Sequence, residues 1–290
     1  MELLNQGTPY NLFGIEGGDY KRARVVALPI PYDSTTSYRA GTRHGPRAII
    51  DASRNIELYS EELGRNVSDI GIYTLGEMLQ DVSAPEAMVK RIEGEVSVML
   101  DDSKVPLLLG GEHSISIGAI SAISSRRKDF SVLHFDAHSD SRDSFMGSRY
   151  SHASVMARAR ELCKSCYSVG VRSIDEEGMN RYKDEIMFRK DMRGISTDEI
   201  VGRILEKTER NIYLSIDLDV LDPSEMPSVG TPEPDGLHFY ELSSILRGVL
   251  RERNILGMDM VELSPIPGLV APDYLAAKLL YLTIGYAFVR

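Results

Sequence analysis

The chain has no tryptophan and only two cysteines. Cys163 and Cys166 form a single CKSC, so a four-cysteine zinc site lacks its second pair. A redox CxxC opens a helix after a strand; this one lies between a helical pattern and the strand-like YSVGVR, which argues against that use. So little cysteine suits a reducing cytoplasm. A basic cluster is also missing. The net charge is −10, which argues against nucleic acid or an anionic membrane as partner and mildly favours cationic ligands. No apolar run is long enough to span a bilayer. The N-terminal MELLNQGTPYNLFG lacks the basic-then-apolar order of a secretory signal. No repeat, low-complexity tract or linker divides the 290 residues, and 42% of them are hydrophobic, enough for one sizeable core. We therefore read residues 1–290 as one domain, with 1–20 an extension that packs on it or on a neighbouring subunit.

What is present is a series of short apolar runs: ARVVALPI, VPLLLG, FSVLHFDA, YSVGVR, NIYLSIDLDV and ILGMDMVEL. Runs apolar on both faces suit a parallel sheet covered on both sides. Helical stripes lie between them, such as Met88, Ile92, Val96 and Met99, or Leu242, Ile245, Leu246, Val249 and Leu250. The alternation predicts an α/β fold with right-handed crossovers.

The polar residues concentrate where these runs end. In HFDAHSDS, His134, Asp136, His138 and Asp140 recur every second position, so they share one face while strand geometry persists. His134 lies deepest and is expected to be a supporting core histidine. In SIDLDVLDP, Asp217 and Asp219 have the same spacing, and Asp222, just before Pro223, fits a turn. In LLLGGEHSIS, His113 stands at a strand–helix junction, with Ser114 placed to cap the helix. The loop at 223–236, rich in proline and glycine, follows a strand directly and reads as a rim loop. Ligands of open α/β sheets bind beyond the carboxyl ends of the strands, where all three clusters fall. Four crowded carboxylates would repel one another unless cations neutralised them. With two imidazoles they suit hard-to-borderline divalent ions such as Mn²⁺, and with bridging carboxylates a pair of them.

GGEHS, DAHSD and SIDLDVLDP resemble the three metal motifs of the ureohydrolases, the arginases and agmatinases. TSYRAGTRHGPRAI is similar to the family's glycine-rich N-terminal segment, and SRDSFMGSRYSHASVMAR and DMVELSP resemble the agmatinase branch. The matches run from about residue 33 to 265. The resemblance implies a three-layer α/β/α fold, trimers or hexamers, two Mn²⁺ per subunit, and release of urea from a guanidinium group. It assigns His113 and Asp140 to one ion, His138 and Asp219 to the other, and Asp136 and Asp217 to both. Glu112 stands where many relatives have aspartate and is not a ligand in the family. His152 matches the proton-shuttling histidine, work that suits an imidazole near neutral pH. Glu262 matches the glutamate that grips the guanidinium, since one carboxylate can pair two N–H groups of a planar guanidinium. Asp259, on the other parity, is expected to be structural.

Arginases hold the α-carboxylate of arginine with a segment typified by GNLHG; this chain has GSRYSHAS, as agmatinase-like proteins do. Asp175 resembles a position that contacts the far amine of the substrate, although with Glu176 and Glu177 it also reads as a solvated helix start. The first expectation is therefore agmatinase, converting agmatine and water to putrescine and urea. N1-aminopropylagmatine is the close rival. Arginase, guanidinobutyrase and formiminoglutamase are further alternatives. A deacetylase-like enzyme with one zinc and a catalytically silent binder are the readings from other classes.

Overall fold

The computed structural model describes residues 7–289. Its strands are β1 (Val25–Ile30), β2 (Tyr59–Ser60), β3 (Arg65–Asn66), β4 (Ile72–Thr74), β5 (Val105–Gly110), β6 (Ser131–Phe135), β7 (Ser165–Val171), β8 (Ile186–Phe188), β9 (Asn211–Asp217) and β10 (Asn254–Val261). All six apolar runs form strands. β2 and β3 make a separate antiparallel pair; the other eight form one parallel sheet in the order β4-β1-β5-β10-β9-β6-β7-β8. The two outermost strands, β4 and β8, have three residues each, too few for a periodic signal.

The helices are α1 (Gly45–Ser53), α2 (Pro85–Asp101), α3 (Ile115–Ser124), α4 (Val155–Leu162), α5 (Glu176–Tyr182), α6 (Arg189–Met192), α7 (Thr197–Lys207), α8 (Phe239–Glu252) and α9 (Ala271–Phe288). Strand side chains alternate between two apolar clusters. Val25, Leu107, Leu133, Phe135, Leu214 and Met260 pack with α1, α7, α8 and α9. Val26, Leu108, Val132, Tyr213 and Val261 pack with α2, α3 and α4 on the opposite face. This is the three-layer α/β/α arrangement, with one sheet shared by both cores. The stripe of α8 carries the contact predicted for it: Leu242, Ile245, Leu246, Val249 and Leu250 are all buried. α9 escapes a periodicity reading because it is apolar nearly all round and buried accordingly. No helix among the described residues is long and apolar enough to cross a membrane.

Of the extension at 1–20, the first six residues lie outside the described ones. Beyond them, Leu12 and Phe13 are buried in this domain, with the Phe13 ring 4.8 Å from that of Tyr281.

The strand order positions the site. β5, β10, β9 and β6 are adjacent in mid-sheet, and the chain leaves β5 to return at β6, with β10 and β9 lying between the two. A crevice opens where such a connection splits. Their carboxyl ends bring GGEHS, Glu262, the Asp217–Asp219 pair and DAHSD to one edge. The turn after β5 is fixed by backbone: Gly111 N–H donates to Ile30 O at 2.9 Å and Glu112 N–H to Tyr32 O at 2.8 Å. A Cβ on Gly111 would lie 1.9 Å from the Tyr32 carbonyl oxygen. Backbone cannot yield there as a flexible side chain would, so Gly111→Ala should destabilise the fold by about 3 kcal/mol or more. A urea midpoint equal to wild type would show that the two segments separate freely.

Candidate active site

The row of residues one layer below the edge explains why the edge is ordered. Asp259, Ser215, His134 and Ser168 stand side by side on β10, β9, β6 and β7. All four are buried. Tyr213 Oη and Ser215 Oγ donate to the two oxygens of Asp259 at 2.6 and 2.7 Å. The hydroxyl proton of Ser215 being so used, its oxygen accepts from His113 Nε2 at 2.7 Å. His134 is held between Ser168 Oγ, 3.0 Å from Nδ1, and Asp136 Oδ2, 2.8 Å from Nε2. His134 thus supports Asp136 with both ring nitrogens engaged. Asp259 anchors this row, in keeping with a structural role.

With Nε2 protonated, His113 turns the lone pair of Nδ1 upward. That nitrogen is buried and makes no hydrogen bond, yet carboxylate oxygens of Asp217, Asp140 and Asp136 lie 3.1, 3.2 and 3.3 Å away. Against the cost of burial, the three carboxylates favour positive charge at this point, raising the imidazole's pKa, and a divalent cation held between them and Nδ1 would supply that charge. On the other side, His138 Nδ1 lies 2.8 Å from Asp219 Oδ2 and 3.5 Å from Asp136 Oδ1. Asp136 therefore faces His113 with one oxygen and His138 with the other. Two groups of potential ligand atoms, each within 4.8 Å, share Asp136: one with His113, His134 and Asp140, the other with His138 and Asp219. The donor set fits divalent cations.

The carboxylates differ in environment. Burial, and then the charges of Asp219 and Asp136, push Asp217 well above the usual carboxylate range. Asp136 goes the other way: burial opposes its charge, but His134, His113 and His138 around it hold it low. Asp217 Oδ1 accepts from Asp219 N–H at 2.9 Å, and Asp219 Oδ1 from Ala137 N–H at 3.0 Å, tying the ends of β9 and β6 together.

A cavity of about 290 Å³ opens over this edge, lined among others by His138, Asp140, Asp217, Asp219, His152 and Glu262. Its size suits a small molecule. Glu262 Oε1 accepts from His113 N–H at 2.7 Å. Burial, and then the neighbouring Glu112, raise its pKa well above the ordinary value. His152 begins a short helical turn (His152–Ser154) and is partly exposed, its ring edge-on to Phe145. Gly230 and Thr231 bring the 223–236 loop to the rim, where Arg172 fixes it by donating to Glu233 O and Pro234 O at 2.9 Å. Asp222 closes the base of that loop, accepting from the N–H groups of Ser224 and Gly236.

Asp175 also lines the cavity. It caps α5, accepting from Gly178 N–H at 2.6 Å, and Arg142 Nη1 lies 3.0 Å from its other oxygen. Glu176 and Glu177 are exposed in the first turn of α5. Ser114 departs from expectation. It occupies the cap position of α3 without capping it, and its hydroxyl donates to the Glu112 carboxylate instead. Cys163 and Cys166 are free thiols with Sγ atoms 3.4 Å apart, bracketing the turn from α4 into β7. Sequence reasoning passed over Ser215 and Thr35, although the every-second-residue rule that found Asp217 applies equally to Ser215.

The model of the Arginase family matches residues 23–285. This chain belongs to the arginase family. It is 38% identical over 275 residues to the N(1)-aminopropylagmatine ureohydrolase of Synechocystis sp., covering 92% of this chain and 90% of that one. To the agmatinase of Halalkalibacterium halodurans it is 32% identical over 258 residues, covering 88% of each. Among solved structures of the family, the agmatine ureohydrolase of Thermoplasma volcanium superposes with a TM-score of 0.86 at 34% identity, over 94% of this chain and 92% of that one.

If Ser215 sets the tautomer of His113, Ser215→Ala should weaken binding of divalent metal about 10- to 100-fold while the protein stays folded. Titration calorimetry of metal-stripped protein reads this directly. Unchanged affinity would remove Ser215 from the support of His113.

Proposed function

We propose that this chain hydrolyses the guanidinium group of a cationic guanidino amine, releasing urea, with agmatine giving putrescine as the primary reaction. The observation that carries the reading is the lone pair of His113 buried among three carboxylates, directly beside Glu262, under a cavity in an arginase-family fold. N1-aminopropylagmatine has equal support, since curated relatives at 38% identity bear that name. Both substrates share the head group and differ in the tail.

In this reading two Mn²⁺ would be held by His113, Asp140, His138 and Asp219, with Asp136 and Asp217 available to both. Asp136 is supported as a bridge by its oxygens facing both histidines; for Asp217 the bridging role rests on the resemblance. Bound cations of this kind supply an acidified water and positive charge. The remaining work belongs to the side chains. Glu262 pairs with N–H groups of the guanidinium and orients its carbon. The substrate cation would in turn hold that buried carboxylate ionised. His152, across the cavity, delivers a proton to the departing amine. Asp175, already paired with Arg142, is the candidate for the far ammonium group. A homotrimer or homohexamer in the cytoplasm belongs to the same reading.

Metal-stripped protein should release urea from agmatine or its aminopropyl derivative only when Mn²⁺ is restored, with little from arginine or guanidinobutyrate. Preference for a carboxylated guanidine would overturn the substrate class, and one zinc per chain without urea would favour the deacetylase-like alternative.

Variants separate the roles. Asp136→Ala should lose both metals and nearly all activity. His152→Asn should keep metal and lose about 100-fold or more in kcat. Glu262→Gln should keep metal and impair substrate handling. Metal analysis beside steady-state kinetics checks all three, and wild-type kinetics in either of the last two would remove that residue from its role.

A further inference from the structure

His152 is oriented by something the reaction itself does not explain. Its neighbour is Thr35, on the loop after β1, over one hundred residues away in sequence. The Thr35 hydroxyl has one proton and two lone pairs, and the structure accounts for all three. Thr35 Oγ1 lies 2.6 Å from Glu112 Oε1 and donates its proton there. Glu112 is fully buried, and its other oxygen accepts from the Thr35 N–H at 2.6 Å. One lone pair of Thr35 Oγ1 accepts from the His152 backbone N–H at 3.0 Å. The other faces His152 Nδ1 at 3.3 Å. A hydroxyl whose proton is already committed can only accept, so Nδ1 must carry the ring proton. Nε2 then holds the lone pair, 3.4 Å from the exposed Ser37 Oγ on the cavity side.

The loop that carries Thr35 is itself braced. Asp33, buried, accepts from the N–H groups of Gly41 and Arg43 at 2.9 and 3.3 Å, and pairs with the Arg43 guanidinium. Ten residues of loop are thereby closed on one carboxylate, so Thr35 is presented by a fixed frame.

We propose that Thr35, fixed by Glu112, is a positioning residue that selects the Nδ1–H tautomer of His152 and so leaves Nε2 free to carry the proton during turnover. This rests on the shuttle role given to His152 above. The chain Glu112–Thr35–His152 orients an imidazole through an interposed hydroxyl, the same logic by which Asp259 and Ser215 orient His113.

The test has two readouts. First, ¹⁵N-histidine NMR of the wild-type protein, at a pH where the rings are neutral, should show His152 as the Nδ1–H tautomer, assigned by its loss in His152→Asn. Thr35→Val should shift that population toward Nε2–H. Second, with Mn²⁺ restored, Thr35→Val should lower kcat about 10- to 100-fold with KM within about twofold and metal content unchanged, and Thr35→Ser should recover most of the loss. Nε2–H in the wild type would overturn the proposal, as would full kcat in Thr35→Val or failure of Thr35→Ser to restore it. If wild-type enzyme cleaves no guanidine, the proposed function falls while the tautomer measurement still decides the role of Thr35. A Thr35→Val variant that does not fold leaves the wild-type spectrum and the serine variant to decide the matter.

Discussion

A nitrogen lone pair faces carboxylates in the interior of this protein, and much else follows from that contact. His113 Nδ1 sits 3.1–3.3 Å from oxygens of Asp217, Asp140 and Asp136 without a hydrogen bond to any. Burial makes such crowding costly for every group in it. Water cannot relieve it, because His113, Asp136 and Asp217 have almost no exposed side chain. A divalent cation turns the same arrangement from repulsion into coordination. The fold holds the arrangement in place by drawing its ligands from the ends of neighbouring strands, whose relative positions are set by backbone ladders.

Tautomers are what the layer beneath controls. An imidazole can face a cation only with a nitrogen that carries no proton, so the other nitrogen must donate elsewhere. For His113 that partner is Ser215, and Asp259 makes Ser215 an acceptor by taking its proton. The hydrogen-bonded row therefore transmits a preference from a carboxylate through a hydroxyl to a ring. It is built from residues in register on adjacent strands, and a slip of one residue in β9 would turn Ser215 and Asp217 to the opposite face together. Sheet register and ligand orientation are thus the same constraint.

Much of this was legible in the sequence because strand geometry is simple. Two-residue spacing pointed to Asp136, His138 and Asp140 together, and to Asp217 with Asp219; the structure brings these groups to one edge, although β6 ends at Phe135 and β9 at Asp217, so the segments beyond the strands, with Asp219 in the turn Leu218–Val220, complete the convergence. The same rule made His134 the deepest of its series, where it now supports Asp136. The limits were equally physical. β4 and β8 are too short to show a period. Ser114 looked like a cap because serine at a helix start usually is one, but its backbone is already helical (φ −55°, ψ −20°) rather than extended as a cap requires, and its hydroxyl donates to the buried Glu112. Thr35 carried no signal at all, since its partners Glu112 and His152 meet it only through tertiary folding.

Glu262 shows where alternation alone would mislead. Along β10, Met258 and Met260 face the cluster under α8 and α9, while Val261 faces the other side. Strict alternation would send Glu262 with the methionines, away from His113. Its φ is +67°, a left-handed conformation that costs a non-glycine residue about 1–2 kcal/mol. That turn ends the strand and swings the side chain over the edge, where it accepts from His113 N–H, and it reverses the parity so that Leu263 rejoins the methionines' cluster. Asp140, the last residue of its series to face His113, also has positive φ, +45°. Both carboxylates are aimed by backbone outside regular strand geometry, Glu262 directly after β10 and Asp140 in the segment beyond β6. A surrounding network that over-determines the conformation is what allows such strain to persist. Here that network is visible: Glu262 N–H donates to Gly111 O, and the N–H groups of Met156 and Ala157 reach Asp140 O. Positive φ also occurs at Phe13, Ser103, Met146 and Asp235, but at Asp140 and Glu262 it falls on carboxylates that meet His113, so there the backbone cost is tied to how the site is aimed.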